Sequence, residues 1–314
     1  MVQTMNFVKD DKVGDRQTSS PSPGRFQRQL IPFAYLSPTV VLMVVLMLIP
    51  IVMVVSYSVM DNVITKKNPK FVGFANYAEI LTSEVFHTAI FNTVFFTVVS
   101  VVAHLVIGLA FAMLLNTRLL SNRVKAFFRV LYVLPWLFTI AIIAVLWRLL
   151  LSPNGVVNYI LSTFGLIDGN VEWLSTPATA LASVTFINIW SGYPFFMISL
   201  LAGLQGIARE LYEAATVDGA NAVQQFRFIT LPQLKPIIIS MAMLDIIWTT
   251  QQFALIWMTT GGGPIRATEM LSTFTYKLAF SRNEFALAST SAVIVLAMSM
   301  IIAVFYVRHQ KASE

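Results

Sequence analysis

Six long apolar runs, separated by shorter polar segments, dominate the pattern of hydrophobic and polar positions along the chain. At 1.5 Å per residue, a helical run of about 20 residues crosses the roughly 30 Å hydrocarbon core of a bilayer. The runs are continuous, whereas a membrane-barrel strand alternates lipid-facing and lumen-facing residues over about ten positions. The pattern therefore predicts six transmembrane helices, within residues 33–59, 90–115, 130–151, 178–204, 237–258 and 285–307.

Composition supports an all-α integral membrane protein and excludes several other classes. Of the 314 residues 57% are hydrophobic and 11% are charged, against roughly half and a quarter in soluble domains. The net charge of +6 comes from Lys and Arg dispersed between the apolar runs, which does not indicate nucleic-acid binding. With no Cys, three His and scattered carboxylates, the chain offers no metal cluster and no catalytic constellation, so we expect no enzyme.

The distribution of Lys and Arg predicts the orientation. If the N-terminus is cytoplasmic, 14 of the 21 Lys and Arg fall on its side of the membrane and seven on the other. Basic residues favour the cytoplasmic side, and an even number of spans returns the C-terminus to it. We therefore expect both termini and the polar loop at residues 205–236 to be cytoplasmic in a multi-pass membrane protein.

Two parts of the chain are distinguished by polarity. Residues 1–30 are polar and carry both charge signs with Ser and Pro, which predicts a disordered cytoplasmic tail and no signal peptide. Residues 31–314 form the predicted six-helix domain. The segments at residues 60–89 and 152–177 contain Gly, Pro and aromatic residues, which predicts short structures at the external interface.

The loop at residues 205–236 is longer than a connection between two spans requires. A short helix over residues 208–217 would place Leu211, Ala214 and Ala215 on one face, and Gly219 would end it in a left-handed conformation. A second short helix would follow over residues 222–228. Such a helix–Gly–helix knob fits a groove on a partner protein. An amphipathic elbow on the lipid surface is equally compatible with the composition.

The run EAATVDGANAVQQFRFITLP, from Glu213 to Pro232, resembles the Glu-Ala-Ala signature of bacterial ABC importer permeases. The residues around it strengthen the resemblance to carbohydrate permeases of the maltose and glycerol-3-phosphate type, strongly over residues 178–314 and more weakly over residues 31–177. These are Trp190, Gly192 and Pro194 upstream, and Thr260, Gly261, Gly262, Gly263 and Pro264 downstream.

The resemblance implies a type I ABC importer permease fold and a mechanical role for the loop. In that family the short helix lies in a cleft of a cytoplasmic ATPase subunit and carries ATP-driven closure into the membrane. The family also implies a second homologous permease, two copies of the ATPase and an external sugar-binding protein. This chain has no Gly-x-x-x-x-Gly-Lys-Ser/Thr loop, so ATP and Mg²⁺ would be bound by the partner and this chain would hold no cofactor. The predicted coupling residues are Glu210, Leu211, Glu213, Ala214, Ala215, Asp218, Gly219 and Ala220.

Two spans carry polar and aromatic residues at helical spacing. Polar groups are costly in hydrocarbon unless they meet partners or water, so both stripes should face the bundle interior. Hydrogen-bonding groups combined with aromatic faces suit a sugar, but such residues also join helices to one another. Spacing leaves both interpretations open, and the resemblance favours a substrate pathway. The predicted pathway residues are Asn188, Trp190, Ser191, Gly192 and Phe195 in the fourth span, and Asp245, Trp248, Thr249 and Gln252 in the fifth.

Asp245 departs from the uncharged residue that the resemblance leads us to expect. Either it pairs with a buried cation, or the substrate differs from a neutral maltodextrin. His104, in the second span, is expected to be a packed, hydrogen-bonded residue. The alternative function is a subunit of a secondary transporter driven by an ion gradient, with Asp245 as its coupling carboxylate. The loop at residues 205–236 distinguishes the two, since such a carrier has no use for it.

Overall fold

The computed structural model describes residues 35–312 except residues 62, 66 and 118. The predicted tail at residues 1–30 and the start of the first apolar run lie outside these residues. Over the described part the chain is helical, and an isolated antiparallel bridge between Met60 and Phe71 is its one strand-like pairing. The helices are α1 (Tyr35–Ser58), α2 (Ala75–Thr82), α3 (Glu84–Asn116), α4 (Asn122–Leu137), α5 (Ile140–Leu150), α6 (Val156–Thr163), α7 (Pro177–Gly206), α8 (Arg209–Val217), α9 (Ala222–Thr250), α10 (Ala254–Thr259), α11 (Leu271–Tyr276) and α12 (Phe285–Ala312).

Five of these helices are long and apolar enough to cross a membrane: α1, α3, α7, α9 and α12. The bent pair α4 and α5 would make a sixth span if it crosses as one unit. The mostly helical architecture with five or six candidate spans agrees with the predicted fold class. The number six and the cytoplasmic position of both termini remain predictions.

The third apolar run, at residues 130–151, contains Pro135, which predicts a kink, and the structure divides the run into two helices. The chain bends by 98° between α4 and α5. Pro135 lies near the end of α4 and cannot donate a backbone hydrogen bond. Thr139 then starts α5, and its Oγ1 accepts a hydrogen bond from the backbone N–H of Ile142 at 3.4 Å. A new N-cap four residues after a proline therefore produces the bend.

The fifth run also differs from its predicted bounds of 237–258. Helix α9 begins at Ala222, within the polar loop, and ends at Thr250. Three non-helical residues separate it from α10. The loop therefore continues into the span without a break in the helix, apart from a π-helical turn at Phe226–Thr230.

The chain divides into two compact units, residues 1–53 and 54–314. In the first unit, residues 35–53 belong to α1 and all of their side chains are exposed. The second unit contains the other helices and the buried core.

Helices α3 and α7 pack closely because small residues line their contact. A Cβ on Gly108 would lie 2.6 Å from Cβ of Phe196 and 2.9 Å from the backbone nitrogen of Met197. One turn later Ala112 is fully buried in the same cluster, with Leu200 opposite it. Small residues at such positions let membrane helices gain dispersion contacts along their backbones. This contact fixes α3 and α7, two of the helices that contribute to the candidate site.

A buried asparagine organises the predicted external segment at residues 152–177. Asn158 is 2% exposed, and its Nδ2 donates to the backbone carbonyls of Ser152, Pro153 and Val171 at 2.8–3.1 Å. Its Oδ1 accepts from Nε1 of Trp173 at 2.9 Å. One side chain thus closes the loops on both sides of α6.

We expect Asn158→Ala to destabilise the protein by about 3 kcal/mol or more, because it leaves several buried backbone groups unpaired. The measurement is thermal unfolding of the purified protein in detergent. Asn170→Ala, which removes an exposed hydrogen bond to Asn154 at 3.2 Å, is the matched control and should change stability by less than about 0.5 kcal/mol. Equal effects of the two substitutions would contradict the role of Asn158.

Candidate functional site

The knob, which we define as residues 208–230, has a well-formed turn at Gly219. The backbone N–H of Ala220 donates to the carbonyl of Ala215 at 2.8 Å, and that of Gly219 donates to the carbonyl of Thr216 at 3.1 Å. This is the Schellman pattern that ends helices, and it requires the positive φ of +80° observed at Gly219. The predicted glycine turn between two helices is confirmed in the structure.

A capping box starts the next helix. The side chain of Asn221 accepts from the backbone N–H of Gln224 at 2.9 Å, and the side chain of Gln224 accepts from the backbone N–H of Asn221 at 2.8 Å. The two reciprocal bonds satisfy donors that the first turn of α9 would leave free. The direction in which the chain leaves Gly219 is thereby fixed.

Side-chain bonds hold α8 against the beginning of α9. The hydroxyl of Tyr212 lies 2.9 Å from Oγ1 of Thr230. Nε2 of Gln225 donates to Oγ1 of Thr216 at 3.0 Å and to the carbonyl of Ala220 at 3.2 Å. The knob is therefore one folded unit that is continuous with a membrane-spanning helix.

Helix α8 presents exposed apolar residues beside an unpaired carboxylate. Leu211 is 42% exposed and Val217 is 88% exposed. Glu213 is exposed, and its carboxylate makes no hydrogen bond or ion pair within the described part of the chain. It lines a cavity of about 870 Å³, to which Lys125 and Arg209 also contribute. The other predicted coupling residues lie on the same knob; Glu210, Ala214 and Asp218 are exposed, and Ala215 and Ala220 are partly buried.

The two predicted pathway stripes are joined by a residue that the sequence analysis placed in neither. Nδ1 of His104 lies 2.7 Å from Oδ2 of Asp245, and its Nε2 lies 3.1 Å from the backbone carbonyl of Asn188. The expectation that His104 is packed and hydrogen-bonded is confirmed. Of the two explanations for Asp245, pairing with a buried group agrees with this contact; its partner is a histidine that carries a charge only when protonated.

Gly192 makes room for the imidazole. A Cβ at this position would lie 2.3 Å from Nε2 and 2.4 Å from Cε1 of His104. No side chain other than hydrogen fits there while the ring keeps both of its hydrogen bonds. The glycine predicted to line the pathway thus supports the contact between α3 and α7.

Aromatic residues of the two stripes meet at an exposed position. The rings of Phe195 and Trp248 are 5.6 Å apart, and Trp136 of α4 lies 6.2 Å from Phe195. Trp248 is 59% exposed and Trp136 is 52% exposed. Sequence analysis missed Trp136, although its place just before the helix break after Pro135 could have marked it. The three rings form an open aromatic surface of the kind that packs against the C–H faces of sugars.

The remaining stripe residues have separate surroundings. Trp190 packs edge-on against Trp147 at 5.4 Å. The hydroxyl of Ser191 donates to the carbonyl of Asn188, and that of Thr249 donates to Asp245. Gln252 is partly buried just beyond the end of α9. The side-chain nitrogen of Asn188 is buried and has no partner among the residues that the structure describes.

The segment directly after the glycine-rich residues 260–264 is held by hydrogen bonds from another span. Gly261 and Gly262 have φ values of +61° and +87°. Nδ2 of Asn92, in α3, lies 3.0–3.3 Å from the carbonyls of Arg266, Ala267 and Glu269. The segment is therefore fixed to α3. Over the described ranges no group of three or more His, Asp or Glu could hold a metal ion.

The chain is similar to a family of transport proteins and to individual permeases. The model of a family described as "Binding-protein-dependent transport system inner membrane component" matches residues 104–312. A probable ABC transporter permease protein of Brucella suis biovar 1 (strain 1330) is 33% identical over 289 residues, which cover 92% of this chain and 99% of that protein. The trehalose/maltose transport system permease protein MalF of Thermococcus litoralis is 31% identical over 285 residues, which cover 90% and 95%.

The fold also occurs in solved structures. The crystal structure of a bacterial ABC transporter involved in the import of the acidic polysaccharide alginate contains a chain that matches with a TM-score of 0.78 and 25% identity. The match covers 91% of this chain and 97% of that one. The predicted type I importer architecture therefore has a close structural counterpart.

We expect Gly192→Ala to destabilise the protein by about 1–3 kcal/mol, because the added methyl group overlaps an imidazole that two hydrogen bonds hold in place. Thermal unfolding in detergent measures the effect. Gly206→Ala, at the end of the same helix, is the matched control because a Cβ there meets nothing within 4 Å. The same melting temperature for both variants would show that the ring can move aside.

Proposed function

Because the chain belongs to the family of binding-protein-dependent transport system inner membrane components, we propose that it is the permease subunit of an ATP-driven sugar importer. Its place is the inner membrane. A sugar is the proposed substrate because one relative is named for trehalose and maltose and a structural counterpart imports a polysaccharide. The exposed rings of Phe195 and Trp248 support this substrate class.

The single observation that carries the coupling mechanism is the knob. It is folded, it continues into α9, and it presents Leu211 and Val217 beside the unpaired Glu213. We propose that this surface binds a cytoplasmic ATPase subunit, with Glu213 accepting hydrogen bonds from the partner's basic or backbone groups. An amphipathic elbow on lipid would need neither the capping box nor the Schellman turn.

The other partners follow from the same proposal. ATP and Mg²⁺ are bound by the ATPase chains, because this sequence has no phosphate-binding loop. Two copies of the ATPase and a second, homologous permease complete the transporter. The family description implies a binding protein, which we place on the external side, where it delivers the sugar. This chain is a transport subunit and no enzyme.

We expect Glu213→Ala and Gly219→Ala each to reduce co-purification with the ATPase subunits by about tenfold. The first removes the charged acceptor, and the second forces a side chain into a positive-φ conformation that costs about 1–2 kcal/mol. Their controls are Glu79→Ala, another exposed carboxylate, and Gly206→Ala, which introduces no strain. Wild-type assembly together with ATP-dependent uptake in both test variants would count against this function.

Trp248→Ala should lower the rate of maltose or trehalose uptake by about two- to tenfold, since an aromatic contact of this kind contributes roughly 0.5–1.5 kcal/mol. Uptake of the radiolabelled sugar into proteoliposomes containing the whole transporter is the measurement, with co-purification of the ATPase confirming assembly. Phe305→Ala removes an equally exposed aromatic ring from α12 and should have little effect. If the two variants transport equally well, Trp248 does not contact the substrate.

A further inference from the structure

A continuous chain of hydrogen bonds joins three spans in the interior of the protein. Oγ1 of Thr249 donates to Oδ1 of Asp245 at 3.0 Å, and Oδ2 of Asp245 lies 2.7 Å from Nδ1 of His104. Nε2 of His104 then reaches the backbone carbonyl of Asn188 at 3.1 Å. His104 is 2% exposed and Asp245 is 8% exposed. These hydrogen bonds connect α9 to α3 and α3 to α7.

The partners determine where the protons lie. A backbone carbonyl only accepts hydrogen bonds, so Nε2 of His104 must carry a proton. One further proton lies between Nδ1 and Oδ2, either on an imidazolium that faces a carboxylate or on a carboxylic acid that faces a neutral ring. Both forms have zero net charge and leave no nitrogen of the ring unpaired. The pair therefore avoids the cost of an isolated charge in the membrane.

The pair cannot separate easily. Withdrawing Asp245 would leave a buried carboxyl group and a buried ring nitrogen without partners, which is costly in a low-dielectric interior. The imidazole cannot follow by turning toward α7, because it already lies against Gly192. The imidazole of His104 is therefore fixed in position against α7, and its hydrogen bond to Asp245 holds α9 strongly.

Asp245 lies far from the knob but on the same helix. Helix α9 runs from Ala222 to Thr250, so Asp245 is about 35 Å along the axis from the first turn at 1.5 Å per residue. A second polar contact between α3 and α9, from Thr97 to Thr250, is long at 3.4 Å and uncharged. The strong contact between α9 and the other two spans is therefore the one made by His104.

Resting on the proposed function, we propose that the His104–Asp245 pair is the link through which α3 and α7 follow the displacement of α9 when the ATPase moves the knob. His104 is a positioning residue in this mechanism. It makes the three helices one moving body and keeps Phe195 and Trp248 facing each other during the cycle. The alternative is that the pair only stabilises the resting fold.

Spin labels can distinguish the two, because the chain contains no cysteine and any introduced pair is unique. Ala182→Cys, near the start of α7, and Gln233→Cys, in the first half of α9, replace exposed residues. The distance between the labels is measured by electron paramagnetic resonance in the assembled transporter. The two states are nucleotide-free and trapped with Mg-ATP and vanadate. Backgrounds are wild type, His104→Asn, His104→Gln, Asp245→Asn, His104→Asn with Asp245→Asn, and Thr97→Ala as the matched control.

We expect one unchanged distance in both states for wild type and Thr97→Ala. In His104→Asn the distance should match wild type without nucleotide and shift or broaden by about 2 Å or more only in the trapped state. Asp245→Asn and the double variant should behave like His104→Asn, because residues that act through one contact are not additive. A defect confined to the trapped state is one that a purely stabilising contact would not produce.

Three outcomes would overturn the link. These are an unchanged distance in trapped His104→Asn, an equal change in Thr97→Ala, or an altered distance already present without nucleotide. Failure of all His104 and Asp245 variants to assemble, including the conservative His104→Gln, would also overturn it in favour of a folding role. Failure of the unsubstituted chain to bind the ATPase would instead contradict the proposed function, so the two hypotheses fail separately.

Discussion

The structure depends on one constraint: a polar group that leaves water for the interior of a membrane protein must find its partner within the protein. Asn158 meets this constraint by bonding to the loops on both sides of its helix, and Asn92 by bonding to the segment that follows the glycine-rich residues 260–264. Asp245 meets it through His104. In each case satisfying one side chain also fixes the position of a second element. The polar residues of this chain are therefore the points at which its helices are held in register.

The same constraint explains what the sequence can and cannot predict. Continuous apolar runs identify α3, α7 and α12, because hydrophobic length alone decides whether a helix crosses the bilayer. Hydrophobicity carries no information on direction. Pro135 in the third run predicts a kink, but not that the run divides into two separate helices. The cap at Thr139 could have indicated it, since a threonine shortly after a proline is a typical helix start.

Part of the candidate site could be predicted from the sequence and part could not. The knob could be predicted because its turn and cap are local, and Gly219 stands at the one position with a positive φ between the two helices. The contact of His104 with Asp245 could not, because 141 residues separate them and no local rule pairs them. One signal was available: each is an isolated titratable residue in a predicted span, and such residues usually pair. Trp136 was missed because 59 residues separate it from Phe195 and no local rule pairs them.

Helix α9 unites the two halves of the site, because its polar end belongs to the knob and its apolar end carries Asp245 and Trp248. A helix transmits a displacement along its axis only if it is firmly attached to the helices that it must move. Apolar packing in a bilayer provides only weak attachment, because contacts with lipid are equally favourable. A net-neutral pair of His104 and Asp245, with both ring nitrogens hydrogen-bonded, provides this attachment without placing net charge in the interior of the protein. Two glycines contribute to these two parts of the site. Gly219 lets the chain turn so that the knob can form. Gly192 leaves room for the imidazole of His104 against α7, so that the end of α9 that carries Asp245 is held in place.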